Sequence, residues 1–208
     1  GIAGHLMSAS VMSAPAALVV AKIMFPETNY SSNEEVNLNE ENPSANAMDA
    51  LGNGTIVGLR LAVNVGAMLI SFISIIALLN YFLGLFGFSI ETILGSIFKP
   101  LAWSMGIPWS ESSAVGSLMG KKIVFTEFVA FADLKSLIDS DLISERAAII
   151  ASYALCGFAN FGSIGIQLGG IGGIAPKRRK EIAQLIFKAM IGGAIASWLT
   201  ATLAGILL

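Results

Sequence analysis

Ala147-Ala148-Ile149-Ile150-Ala151-Ser152-Tyr153-Ala154-Leu155-Cys156-Gly157-Phe158-Ala159-Asn160-Phe161-Gly162-Ser163 is the stretch whose reading decides the fold. Ser144-Glu145-Arg146 opens it like a helix start, and the run stays apolar until Asn160 and Ser163 interrupt it. Gly162, Gly165, Gly169, Gly170, Gly172 and Gly173 follow, and Pro176 closes the segment. We read 144–176 as a discontinuous helix. In hydrocarbon such a break is tolerated only where it is buried in protein or lines a cavity. Upstream, Glu127 sits inside Ile123-Val124-Phe125-Thr126-Glu127-Phe128-Val129-Ala130-Phe131. An ionisable group at membrane depth costs about 2.5 kcal/mol or more and usually serves a substrate or ion path. A broken helix and an embedded carboxylate together point to a transport site.

The rest of the composition agrees. The 208 residues are 55% hydrophobic and 12% charged, with a net charge of −2 and a mean hydropathy of +0.76. A soluble domain carries about 25% charged residues. The expected class is therefore an all-α membrane protein with several spans. Cys156 is the single cysteine, which excludes a disulfide framework and a cysteine zinc site. His5 is the single histidine, so neither a histidine metal site nor a Ser-His-Asp triad is available. No nucleophile–base pair or cofactor motif is visible, and no basic patch with interleaved aromatics calls for nucleic acid. Gly170-x-Gly172 follows no strand, and glycines four apart at 165, 169 and 173 suit close helix packing better than nucleotide binding.

Charge and hydropathy divide the chain. Residues 5–26 form a membrane span with Pro15 inside it. Residues 27–55 hold six of the 14 acids and no Lys or Arg, and read as a cytoplasmic loop in which a short amphipathic helix starts near Asn46. Residues 56–88 are too long for an upright span of a ~30 Å core and imply a tilted helix. Residues 89–109, with Glu91, Lys99 and two prolines, read as interfacial. Residues 110–140 are too short to cross twice, so a re-entrant hairpin is expected, with Thr126 capping its second half-helix. Lys177-Arg178-Arg179-Lys180 marks 177–181 as a cytoplasmic loop. Residues 182–208 form the last span. Gly rather than Met stands at position 1, and the expectation is a fragment of a longer chain.

Two readings stay open for each candidate residue. Asn160 and Ser163 share a face if their segment is helical. They offer donors and acceptors suited to a sugar ring, or they cap and glue the break. Glu127 accepts hydrogen bonds from a diol, or it pairs with Lys121 or Lys122, or it satisfies free backbone donors.

The order and spacing of several pieces resemble the C-terminal half of the concentrative nucleoside transporters. These are Ser13-Ala14-Pro15-Ala16 leading to Phe25-Pro26-Glu27, Asn46-Ala47-Met48-Asp49-Ala50, and Gly58-Leu59-Arg60-Leu61-Ala62-Val63-Asn64-Val65-Gly66. Gly106-Ile107-Pro108-Trp109, Thr126-Glu127-Phe128-Val129-Ala130-Phe131 and Gly157-Phe158-Ala159-Asn160-Phe161-Gly162-Ser163 complete the set. The resemblance implies nucleoside import coupled to Na+ or H+, a homotrimer in the inner (plasma) membrane, and an elevator-like movement of each protomer. It makes this chain the second half of an inverted repeat. It also implies that Glu127 and Asn160 hold ribose, that Ser163 adds a polar contact, and that Phe158 packs on the nucleoside. The first hairpin, with its base-reading motif, is absent, and the sodium ligands are expected mostly in that upstream half. The rivals are a transporter of another hydroxylated solute and a non-transporting structural membrane protein.

Overall fold

The computed structural model describes residues 2–26 and 45–208. The acidic stretch 27–44 lies outside the described residues. The described residues form α1 (Ile2–Met24), α2 (Ala47–Gly84), α3 (Ile90–Ser104), α4 (Ser112–Val124), α5 (Glu127–Asp139), α6 (Glu145–Leu155), α7 (Phe161–Ile174) and α8 (Arg179–Leu207), with a single 3-10 turn at Pro176–Arg178. No strand occurs among them.

Local chemistry explains several of these starts. The side-chain oxygens of Asn46, Ser89, Ser144 and Asn160 each accept a backbone N–H from the first turn of the helix that follows. Such a cap satisfies one of the N–H groups that a helix start leaves unpaired. The cap at Asn46 corrects one sequence expectation. The helix expected near Asn46 is not a short one within a loop: residues 47–55 are the first turns of α2, which runs for 38 residues without interruption. At 1.5 Å per residue it is about 57 Å long. The glycines at 52 and 54 weaken that start by propensity alone, but they meet no neighbour and break nothing.

The core lies where α4, α6 and α8 meet. From Ala147 to Leu155, α6 is buried at every position but Ile149. α6 packs on α8, and both helices bury small residues, Ala147, Ala151 and Ala154 on one and Ser197, Ala201 and Gly205 on the other. Small residues at this spacing let helix backbones approach closely, which is how helices associate where lipid removes the hydrophobic drive. A Cβ on Gly205 would stand 1.9 Å from the Met105 carbonyl oxygen, so α8 touches the end of α3 backbone to backbone. Arg146 fastens the same corner, donating to the Gly205 carbonyl at 2.7 Å and to the Gly106 carbonyl at 3.3 Å.

The segment read as interfacial, α3, packs against α4 and touches α2 only slightly. The close approach depends on two glycines. A Cβ on Gly116 would come within 2.6 Å of the Gly95 carbonyl oxygen. α1 packs on α8 and α6, while α2 packs on α7. Both leave apolar side chains exposed along their length, including Met7, Val11 and Leu18 on α1 and Ile56, Leu59, Val63 and Leu78 on α2. Among the described residues, Ala3–Met24 and Arg179–Leu207 are helices long and apolar enough to cross a membrane.

Candidate functional site

α4 and α5 form an antiparallel hairpin. Lys121 of α4 makes an ion pair with Asp133 of α5, and Ala114 shares a cavity wall with Leu137 and Ser140. The chain reverses at Phe125-Thr126. Thr126 stands in the cap position with extended backbone (φ −151°), but its side chain makes no capping bond. The expectation of a threonine cap is corrected to that extent. Glu127 opens α5. Its carboxylate therefore lies in the first turn, where unpaired N–H groups and the helix dipole favour negative charge.

The break predicted in the second segment spans Cys156 to Asn160. Gly157 has φ +138°, and a Cβ there would sit 2.6 Å from Ser197 Oγ. Both facts require glycine. The Ala159 N–H donates back to the Gly157 carbonyl at 3.0 Å, which tightens the turn. α7 then restarts behind Asn160. Asn160 Oδ1 accepts the Ser163 N–H at 2.7 Å. Ser163 Oγ donates to the Asn160 carbonyl at 2.6 Å and accepts the Asn160 N–H at 3.3 Å. This is a reciprocal capping box, and Asn160 and Ser163 are both fully or nearly fully buried.

The site residues named from sequence are thus partly assembled. Asn160 Nδ2 donates to Glu127 Oε2 at 3.4 Å, a long bond that joins the hairpin tip to the helix break. Ser163 and the amide oxygen of Asn160 take the capping role, the second of the two readings left open. That leaves the Nδ2 donors of Asn160 facing the carboxylate. Phe158 projects from the break with half its surface exposed. It borders a cavity of about 270 Å³, together with Ser13, Gln167 and Ser197.

Neither lysine forms an ion pair with Glu127. Lys121 turns to Asp133. Lys122 is completely buried and donates to the Ala154 carbonyl at 2.9 Å and to Ser197 Oγ at 3.1 Å. Sequence reasoning missed this second role. The signal was the helical spacing, since 122 falls on the same face as the buried Val115, Leu118 and Met119. Among the described residues, no three His, Cys, Asp or Glu side chains cluster to hold a metal ion.

Comparisons with known proteins show the family. Residues 5–205 match the family described as "Na+ dependent nucleoside transporter C-terminus". An uncharacterized transporter, YutK of Bacillus subtilis, is 44% identical over 97% of this chain and 52% of its own length. The nucleoside permease NupC of Helicobacter pylori is 38% identical over 97% of this chain and 50% of its own length. Solute carrier family 28 member 3 of Mus musculus is 40% identical over 98% of this chain and 32% of its own length. The chain therefore spans about half the length of the bacterial relatives and about a third of the mouse one. Among solved structures, a variant of CNTnw in an outward-facing state superposes with a TM-score of 0.85 at 37% identity, covering 98% of this chain and 50% of that one. CNTnw in an inward-facing substrate-bound state gives 0.77 at 40% identity, covering 97% and 50%. The broken helix, the hairpin and the match over nearly the whole sequence converge, and the chain belongs to the Na+-dependent nucleoside transporter family, as its C-terminal half.

Proposed function

We propose that the chain is the ribose-binding half of a sodium-coupled nucleoside importer, a multi-pass protein of the inner (plasma) membrane that works as a homotrimer. The observation that carries the reading is the meeting of Glu127 and Asn160 at the starts of α5 and α7. Broken-helix transporters aim half-helix ends at their substrates near mid-membrane. An ionised carboxylate accepts hydrogen bonds from two neighbouring hydroxyls, and an amide N–H₂ donates to a hydroxyl oxygen. A ribose diol supplies both partners and replaces the long 3.4 Å contact between the two side chains. The exposed ring of Phe158 packs on the nucleoside. In this reading α4 and α5 form a re-entrant hairpin, residues 177–181 face the cytoplasm, and the base is read by the other half of the transporter. The sodium ligands belong mostly to that half as well. H+ in place of Na+ is the alternative coupling ion.

The test is uptake by the intact transporter. A hydrogen bond to a charged group is worth about 1.5–3 kcal/mol, or about 10- to 150-fold in affinity. Glu127→Gln and Asn160→Ala are each expected to weaken nucleoside binding by at least the lower figure, with the protein still in the membrane. Normal uptake in both variants refutes the assignment. Competition by free sugars but not by nucleosides transfers it to another hydroxylated solute.

A further inference from the structure

We propose that Lys122 is a positioning residue of the ribose wall, a tethered cation that clamps the end of α6 between α4 and α8 and thereby sets the Asn160 amide opposite Glu127. The proposal rests on the ribose reading above and extends it to a residue that touches no substrate.

A buried ammonium without partners costs several kcal/mol, so one persists only where acceptors are built for it. Lys122 is fully buried in α4, and its acceptors come from two other helices. The first is the carbonyl of Ala154 in the last turn of α6. That carbonyl has lost its helical partner because the chain breaks at Cys156, and the ammonium supplies the missing donor. A positive charge at a helix C-terminus also matches the dipole. The second acceptor is Ser197 Oγ of α8, which donates its own proton to the Gly193 carbonyl at 3.1 Å and so turns a lone pair to the lysine. The turn that leads to Asn160 passes close to this ammonium, since a Cβ on Gly157 would lie 3.8 Å from Nζ.

In transporters built from broken helices, unwound carbonyls and half-helix C-termini are where mobile cations bind. Here the corresponding helix end is held by a cation covalently attached to the hairpin. The clamp links the hairpin bearing Glu127 to the helix break bearing Asn160, so that the two polar groups of the wall share one fixed frame.

The experiment uses the intact transporter and two probes, uridine and 2′,3′-dideoxyuridine, with affinity read by calorimetry or by competition against uptake. The wild type is expected to prefer uridine by about tenfold or more, the value of one good charge-assisted bond. Glu127→Gln is expected to collapse that preference. Lys122→Met is expected to collapse it too, by raising the uridine KM while leaving the dideoxyuridine affinity near the wild-type value. Lys122→Arg keeps a cation and is expected to recover part of the preference. A merely structural lysine would weaken both probes alike. That result, or an intact preference in Lys122→Met beside a collapsed one in Glu127→Gln, overturns the proposal. An intact preference in Glu127→Gln overturns the ribose reading itself. Should Lys122→Met fail to reach the membrane, Ser197→Ala removes one acceptor and carries the same test. A reduced preference supports the clamp, and a wild-type preference overturns it.

Discussion

Replacing Gly157 by alanine probes the geometry of the helix break at a single atom. Two costs follow from its position. At φ +138° an L side chain is strained, by about 1–3 kcal/mol. The new Cβ would also lie 2.6 Å from Ser197 Oγ. The hydroxyl must then rotate away, which releases the bond from Lys122 at 3.1 Å and the bond to the Gly193 carbonyl. A hydrogen bond to a charged group is worth about 1.5–3 kcal/mol. Against this, alanine restricts the unfolded chain and returns about 0.4–1 kcal/mol. The net expectation is a loss of about 1.5–5.5 kcal/mol, concentrated at the turn that presents Asn160. Chemical unfolding of the intact transporter in mixed micelles measures it, with nucleoside uptake as a parallel readout. The double variant Gly157→Ala/Ser197→Ala separates the terms, because it removes the clashing Oγ, leaves the Ser197 Cβ position 3.9 Å from the new Cβ and keeps the backbone strain. It is expected to be no worse than Gly157→Ala alone, despite carrying two changes. If Gly157→Ala shows wild-type stability and wild-type uptake, the described break geometry is wrong.

Two further outcomes follow from the same structure. Asn160→Asp keeps the oxygen that caps α7 but loses the Nδ2 donors and sets a second carboxylate against Glu127. It is expected to abolish nucleoside binding and to destabilise by several kcal/mol, because the new carboxylate is fully buried against Glu127, whereas Asn160→Ala loses the cap and the amide, the cap costing about 0.5–2 kcal/mol; thermal unfolding and ligand binding measured together tell the two apart. Gly205→Ala forces its Cβ against the Met105 backbone, which cannot rotate aside as a side chain can. It is expected to destabilise by about 1–3 kcal/mol or more and to lower the yield of folded protein from membranes, and an unaffected yield and melting temperature would contradict the packing of α8 on α3.

The broken helix and the hairpin were legible because each leaves a mark in residue order. Polar side chains and glycines interrupt apolar runs at 120–127 and 156–163, and no uninterrupted span tolerates both. The pairing of Asn160 with Glu127 was not legible, since 33 residues separate them and a distance across a fold has no local signature. The resemblance to a family implies that both belong to one site, and the structure brings their side chains to 3.4 Å of each other. The second role of Asn160, capping α7, was visible as an alternative but could not be weighed, because a capping residue and a ligand-binding residue draw on the same side chains. Lys122 was misread for a different reason. Two adjacent lysines look alike in sequence, and only the helical face decides that Lys121 meets Asp133 near solvent while Lys122 turns into the core. The start of α2 near Asn46 was legible from its capping residue, but its continuity with the long apolar helix was not, because the glycines at 52 and 54 resemble a break.

The capping box at Asn160 and Ser163 has a thermodynamic consequence. The backbone groups with which α7 restarts already have partners within the protein. In the proposed reading the wall therefore stands in its binding shape before any substrate arrives, and no segment has to be ordered at the moment of contact. A ligand meeting a preorganised surface surrenders its own freedom of movement and little of the protein's. Affinity at this wall should then follow the stiffness of the ligand, so that analogues with a locked ribose pucker bind more tightly than flexible ones offering the same hydroxyls.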